Sequence, residues 1–255
     1  MNLRFNTDLI AGYRSPRQII RRLSEDWLAH NGYCPNCGNR PIQPFANNTK
    51  VGDFFCTECN EQFELKSKSG LSTGKKIPDG AYNSMIARIQ AEDNPNFLFL
   101  AYKKADYSVQ QLILVPKHFV NVKMIVPRNK PLKNRENYLM CDMDISSLPE
   151  SGKILLVDQA RMIDPGKVRQ QWQSHLFMRQ QQSKSKGWLL AIMKCIDQLP
   201  EQFDLRQMYV FEQALLRQFP ENRHIKEKIR QQLQILRNHG VIEFSNRGKY
   251  RKVKP

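Results

Sequence analysis

Cys34-Pro35-Asn36-Cys37, then Val51-Gly52-Asp53-Phe54-Phe55-Cys56-Thr57-Glu58-Cys59, then Gln62-Phe63-Glu64-Leu65-Lys66: these segments decide how the chain reads. Two residues between paired cysteines let both thiolates reach one ion. Two such pairs with eighteen residues between them have the spacing of a closed tetrahedral zinc site at Cys34, Cys37, Cys56 and Cys59. The second pair is also a turn, so 51–55 is expected to lie antiparallel to 62–66. Side chains alternate across a strand, which puts Glu64 and Lys66 on one face and sends Phe63 and Leu65 to the core. In a hairpin centred on the knuckle, Asp53 is nearly opposite Glu64 and can share its face.

Two carboxylates and an amine on one patch suit phosphodiester hydrolysis. Asp53 and Glu64, with a backbone carbonyl such as that of Leu65, offer hard oxygen ligands to Mg²⁺. A metal held there lowers the pKa of a bound water and neutralises charge on the phosphoryl oxygens. Lys66 supplies a fixed positive charge or orients the attacking water. Alone, an Asp before a Glu-x-Lys is a weak pattern, common on solvated strand faces. Its place on a metal-pinned hairpin in a basic chain gives it weight.

Forty Lys and Arg against 24 Asp and Glu leave a net charge of +16, the balance of a chain that meets a polyanion. No apolar run is long enough for a membrane span, and the first residues lack the apolar core of a signal peptide. Six cysteines, four of them assigned to metal, fit a reducing compartment. The expectation is a soluble, cytoplasmic protein in which Cys141 and Cys195 are ordinary core thiols. Periodicity predicts a helix over 16–30, with Ile19, Ile20, Leu23, Trp27 and Leu28 on its apolar face, and another over 81–92. Strands are expected at 97–102, 111–115 and 153–157. Residues 67–80 read as a turn-rich basic loop, 123–138 as an irregular basic stretch, and 170–186 as a helix end plus linker. The result is an α/β core of the kind a nuclease uses.

From 183 onward the texture changes: fifteen basic and seven acidic residues fall in the last 73. Three helices are expected, at 188–199, 205–219 and 225–238, with Gly240 as the stop of the third. A hairpin of 241–244 and 249–252 around Asn246-Arg247-Gly248 completes a winged helix. Ile225, Ile229, Leu233 and Leu236 then face the core. Lys226, Arg230, Gln231 and Gln234 face outward, where such side chains read base edges. Arg247, Lys249 and Arg251 make the wing basic. Two domains follow, 1–182 and 183–255. The competing reading is a zinc-containing winged-helix regulator without nuclease activity, in which Asp53, Glu64 and Lys66 are only a surface charge cluster.

The chain resembles the DpnI-type methyl-directed (Type IIM) restriction endonucleases over nearly its whole length. The resemblance is carried by Glu25-Asp26-Trp27, Tyr33-Cys34-Pro35-Asn36-Cys37-Gly38-Asn39, Phe63-Glu64-Leu65-Lys66-Ser67-Lys68, Asp79-Gly80-Ala81-Tyr82 and Asn94-Pro95-Asn96-Phe97. The run His224 to Arg237 and Arg247-Gly248-Lys249-Tyr250-Arg251-Lys252 extend it. It implies a PD-(D/E)xK restriction-endonuclease-like core with a zinc-knuckle insertion, joined to a C-terminal winged helix, both binding DNA. The implied reaction is Mg²⁺-dependent cleavage of both strands of double-stranded DNA at GATC carrying N6-methyladenine. By the same resemblance Asp53, Glu64 and Lys66 are catalytic. No obligate protein partner is expected, and the expected state in solution is a monomer, whether one copy or two act at the cleavage step being left open by the sequence. Gly52 stands where the family has proline before the aspartate. Tyr138 stands at the position of the tryptophan that meets the adenine methyl groups, which bears on how strictly both strands must be methylated.

Overall fold

The computed structural model describes residues 2–46, 52–91, 94–129 and 138–253. Val51, Glu92 and the 130–137 part of the expected basic stretch lie outside them. The chain divides into two compact units, residues 1–147 with 152–172 and residues 148–151 with 173–255. The architecture is mixed α/β with one large sheet.

In the first unit the chain runs α1 (Pro16–Asn31), β1 (Gln43–Pro44), β2 (Phe54–Phe55), β3 (Gln62–Ser69), β4 (Lys76–Ala81) and α2 (Tyr82–Gln90). It continues through β5 (Asn96–Lys103), β6 (Ser108–Val115), β7 (Ile125–Pro127), β8 (Met140–Asp144), β9 (Ile154–Asp158), β10 (Arg161–Met162) and α3 (Pro165–Gln173). Seven strands form the sheet β1-β2-β3-β5-β6-β9-β10, and β4-β8-β7 form a second, smaller one. Within the large sheet β3 and β5 are parallel, from Phe63↔Asn96 to Ser69↔Tyr102, whereas the other pairs are antiparallel. Parallel neighbours need a crossover, and β4 with α2 supplies it. Every residue from Asn96 to Tyr102 is buried, as a near-continuous apolar run in a sheet centre demands. Asn96 ties this strand to the start of β3: its Nδ2 donates to Glu61 Oε2 and to the Gln62 carbonyl, both at 2.9 Å.

Helix α1 packs against β1 and β3 and buries Leu23, Trp27 and Leu28, while Ile19 and Ile20 are only half-buried. The expected hairpin forms in short form, with Phe54↔Phe63 and Phe55↔Gln62. Phe63 is buried, but Leu65 is only half-buried beside Arg17, Ile20 and Arg21 of α1, so it does not reach the core as expected. The stretch 67–80 is less of a loop than its composition predicts. Its turn formers occupy 70–74, after which Ile77 enters the core and pairs with Met143 of β8. Part of the basic stretch, 125–127, is strand β7 rather than irregular.

The second unit holds α4 (Ser183–Asp197), β11 (Gln202–Asp204), α5 (Leu205–Tyr209), α6 (Glu212–Gln218), α7 (Ile225–Asn238), β12 (Ile242–Asn246) and β13 (Lys249–Lys252). Helix α4 begins where a linker was expected. The single helix expected over 205–219 is two, because the chain bends at Phe211, whose φ −82, ψ 0 lies in the bridge region. Asp204 closes a capping box with Gln207 at the start of α5. Gly240, at φ +70, ends α7, and Gly248, at φ +72, turns the hairpin. The sheet order β11-β13-β12 adds a strand that the sequence reading missed. Phe203 on it stacks on Tyr250 at 5.5 Å. Ile225, Ile229, Leu233 and Leu236 are buried as expected, with Trp188 of α4 stacked on Phe219 at 3.9 Å.

Candidate metal centre and acidic cleft

The two cysteine pairs build matching loops. In each, the carbonyl of the first cysteine accepts from the amide four residues on: Gly38 N to Cys34 O at 2.8 Å, Asn60 N to Cys56 O at 2.9 Å. The first cysteine's own amide donates five residues on, to Asn39 O at 3.0 Å and to Glu61 O at 2.9 Å. This geometry requires a left-handed residue after the second cysteine, which Gly38 (φ +84) and Asn60 (φ +57) provide. Facing one another, the loops bring all four Sγ atoms within 4.8 Å. Cys34 to Cys59 and Cys37 to Cys56 are 3.4 Å apart, and none is in a disulfide. A four-thiolate cage with bonds of about 2.3 Å has edges near that size and suits zinc. Trp172 pins the first loop by donating Nε1 to Asn36 Oδ1 at 3.1 Å. Burial pushes the Cys34 thiol well up, while at Cys56 burial is outweighed by the Cys59 and Glu58 amides, which hold it low.

The metal loop ends at β3, and β3 carries the second cluster. Glu64 and Lys66 share a face, with Lys66 Nζ 2.6 Å from Glu64 Oε1. Asp53, just before β2, is joined to the same strand twice. Its amide donates to Phe63 O at 2.9 Å, and its Oδ2 accepts from Leu65 N at 2.8 Å. Asp53 and Glu64 line one cleft of about 290 Å³ with Asp79, Ser84, Met85 and Arg88. Burial raises the Asp53 pKa, and Glu25 adds to the rise against the Leu65 amide and Lys66. At Lys66 burial acts to lower the pKa, but Glu64 and Asp79 outweigh it and raise it. The amine is therefore a fixed cation and not a proton acceptor.

Sequence reasoning missed Asp79 and Glu25. Asp79 Oδ1 accepts from Lys66 Nζ and from Gly80 N, both at 2.7 Å. By composition Pro78-Asp79-Gly80 reads as a turn in a loop. Glu25 lines a neighbouring cavity of about 650 Å³ with Arg21 and Asp53, and pairs with Arg21 at 2.7 Å. Its signal, a charged residue beside Leu23 and Trp27 on an amphipathic helix, is common on any surface helix. Cys141 is buried, as expected, yet it is no remote core thiol. It donates to Gly80 O at 3.5 Å, and burial together with Asp79 pushes its pKa up to about 11. Tyr138 is half-buried on the approach to this strand: a Cβ at Gly80 would lie 4.0 Å from its hydroxyl.

In the second unit Lys226, Arg230, Gln231 and Gln234 are all exposed on α7. Arg230 donates to Tyr209 Oη at 3.3 Å and to Glu227 at 3.1 Å. Lys226 lies 3.4 Å from Glu212 and 5.5 Å from the Tyr209 ring centroid. Gln231 Oε1 accepts from Lys228 at 2.7 Å. Arg247, Lys249 and Arg251 are exposed on the wing, with Arg251 paired to Glu243 at 2.5 Å. Phe244, 49% exposed on the same wing, packs edge-on against Tyr250. No helix among the described residues is long and apolar enough to cross a membrane.

Comparison with known families gives two matches. The family model DpnI, described as the Dam-replacing family, matches residues 1–181, and the model DpnI_C, described as the Dam-replacing HTH domain, matches residues 184–252.

Proposed function

The chain belongs to the DpnI, or Dam-replacing, family, and from that premise we propose a type II methyl-directed restriction endonuclease that cuts both strands of DNA at GATC carrying N6-methyladenine. One observation carries the chemistry: Lys66 stands 2.6 Å from Glu64 on a strand whose Leu65 amide binds Asp53, and the two carboxylates share one cleft. This arrangement supports a PD-(D/E)xK centre. Asp53, Glu64 and the Leu65 carbonyl would hold Mg²⁺, for which two carboxylates lining one cleft and a backbone oxygen are a fitting donor set. Such an ion supplies an activated water and neutralises charge on the phosphate. Lys66, kept charged by its neighbours, steadies the attacking water or the phosphoryl oxygens. The Leu65 amide fixes the Asp53 carboxylate. Zinc in the four-cysteine cage would have a structural role, locking the loop between Asp53 and Glu64 to the loop of Cys34 and Cys37.

We assign 1–182 to cleavage and 183–255 to winged-helix binding, with Lys226, Arg230, Gln231, Gln234, Arg247, Lys249 and Arg251 on DNA. Tyr138 offers the aromatic wall to the methyl groups. Burying one methyl gives about 0.8 kcal/mol, about fourfold in affinity, so a single reader discriminates weakly. Two methyls read by two linked domains multiply the preference.

The test is digestion of one plasmid, fully adenine-methylated at GATC or unmethylated, with and without Mg²⁺, by the wild type and by Asp53→Ala. Fragments from the methylated form alone, with metal and only by the wild type, are expected. Cutting of both forms refutes the methyl readout, and tight binding with no cutting by the wild type makes the chain a DNA-binding regulator.

A further inference from the structure

Beyond the two carboxylates and the lysine of the proposed centre, the cleft contains a fourth charged side chain, more buried than Glu64 or Lys66. The side chain of Asp79 is 6% exposed, against 17% for Glu64 and 21% for Lys66. Its Oδ1 accepts from Lys66 Nζ and Gly80 N, while Oδ2 is buried without a hydrogen-bond partner among the described residues. An unsatisfied buried carboxylate oxygen is destabilising, because it gives up its hydration for nothing in return. Stability alone is therefore a poor reason for aspartate here.

The backbone is bent to put this side chain where it is. Along the β4–β8 ladder, Pro78 pairs with Asp142, but the next pair is Ala81 with Met140, so the register shifts at Asp79-Gly80. Such bulges re-aim a side chain and are frequent beside active sites. The result is a lysine held from two sides, by Glu64 on its own strand and by Asp79 from the other sheet.

An ammonium has three donors. Two are committed, at 2.6 and 2.7 Å, which leaves the third. We propose that Asp79 is a positioning residue, resting on the nuclease reading above: it fixes the Lys66 ammonium so that the remaining N–H points at the attacking water or the scissile phosphate. It matters most when Glu64 is drawn to a metal. Were Glu64 to turn toward such an ion, its hold on Lys66 would weaken, and Asp79 would be the contact that keeps the ammonium in place.

Single-turnover cleavage of methylated GATC duplex and equilibrium binding of the same duplex without Mg²⁺ separate the roles, using the full chain. For Asp79→Ala the cleavage rate is expected to fall ten- to a hundredfold with affinity changed less than twofold. Asp79→Asn keeps an acceptor oxygen for Lys66 and is expected to recover much of the rate. It also carries the test should the alanine variant melt early. Asp79→Ala cutting at the wild-type rate overturns the proposal. So does a parallel loss of rate and affinity, or an asparagine variant as slow as the alanine. A wild type that cuts no DNA overturns the nuclease reading and this proposal with it, whereas wild-type cutting with an unimpaired Asp79→Ala overturns this proposal alone.

Discussion

Replacing Lys66 by methionine tests whether the cleft is the electrostatic knot it looks like. The ammonium lies 2.6 Å from Glu64 Oε1 and 2.7 Å from Asp79 Oδ1, and all three side chains are at least 79% buried, Lys66 itself being the most open at 21% exposed. Methionine fills the space of the stem but leaves two carboxylates facing each other about 4–5 Å apart. At an effective dielectric near 20 that repulsion is about 4 kcal/mol, in line with the roughly 3–5 kcal/mol for breaking a buried pair. Water reaching the exposed fifth of the group reduces it. A loss of about 2–3 kcal/mol of folding stability is expected, read as a lowered urea midpoint at constant slope. Cleavage should vanish together with it.

The second arm separates stability from chemistry. Adding Glu64→Gln to Lys66→Met removes one of the opposed charges, so most of the lost stability should return while cleavage stays absent. The pH dependence has a definite sign. Against the lowering effect of burial, Glu64 and Asp79 raise the Lys66 pKa above its ordinary value of 10.5. The stability they lend is therefore complete below the ordinary lysine range and is lost only as pH climbs through the raised value. The gap between wild type and Lys66→Met should stay constant from about pH 7 to about pH 9. A Lys66→Met protein within about 0.5 kcal/mol of wild type, the spread of ordinary surface changes, or a double variant no more stable than the single, would refute this reasoning.

Removing metal from the cysteine cage with a strong chelator should unfold the two cysteine loops, 34–39 and 56–61. Zinc released per chain, measured by a colorimetric chelator, is expected at one equivalent, and far-UV circular dichroism should change with it. Lys226→Ala and Arg230→Ala should each lower the dependence of log affinity on log salt by about 1 if the side chain meets a phosphate, measured by fluorescence anisotropy across a salt series. Tyr138→Trp is expected to sharpen, and Tyr138→Ala to blunt, the ratio of cleavage on fully methylated over hemi-methylated duplex. Because burial and Glu25 raise the Asp53 pKa in the metal-free protein, protons should compete with the metal there, and the Mg²⁺ concentration for half-maximal cleavage should rise as pH falls.

Much of the site was legible because its residues are local in sequence. CxxC spacing fixes two loops, and the strand period places Glu64 and Lys66 together whatever the rest of the fold does. The register of a hairpin around Cys56 and Cys59 then carries Asp53 to Leu65. In the second unit a 3.6-residue period over 225–238 returned a helix with its buried and exposed faces correctly divided, because one long amphipathic helix needs no partner to be recognised. Short elements were lost. β11 and β7 have three residues each, too few for any period, and the break between α5 and α6 turns on two dihedral angles that no residue type dictates.

Asp79 shows what kind of information is absent from the chain read as a string. Pro78-Asp79-Gly80 has turn composition, and turn composition usually means a solvated loop. Here Ile77 has a core slot beside Met143, so the segment is pulled into a ladder with β8 instead. The mismatch between turn-forming residues and a strand's demands is absorbed as a bulge, and the bulge turns Asp79 inward to Lys66. The same residues that argue against a strand are those that let the strand deliver a carboxylate to the cleft. A local conflict of this kind, resolved by tertiary contacts, is expected where a fold gives up regularity for a site. Straightening it should then cost chemistry before it costs the fold. Gly80→Ala is the gentlest such change, since among the described residues only the Tyr138 hydroxyl, at 4.0 Å, lies near the new Cβ. It should leave the melting temperature nearly unchanged while slowing cleavage, and equal rates for the two proteins would mean that the bulge has no part in the reaction.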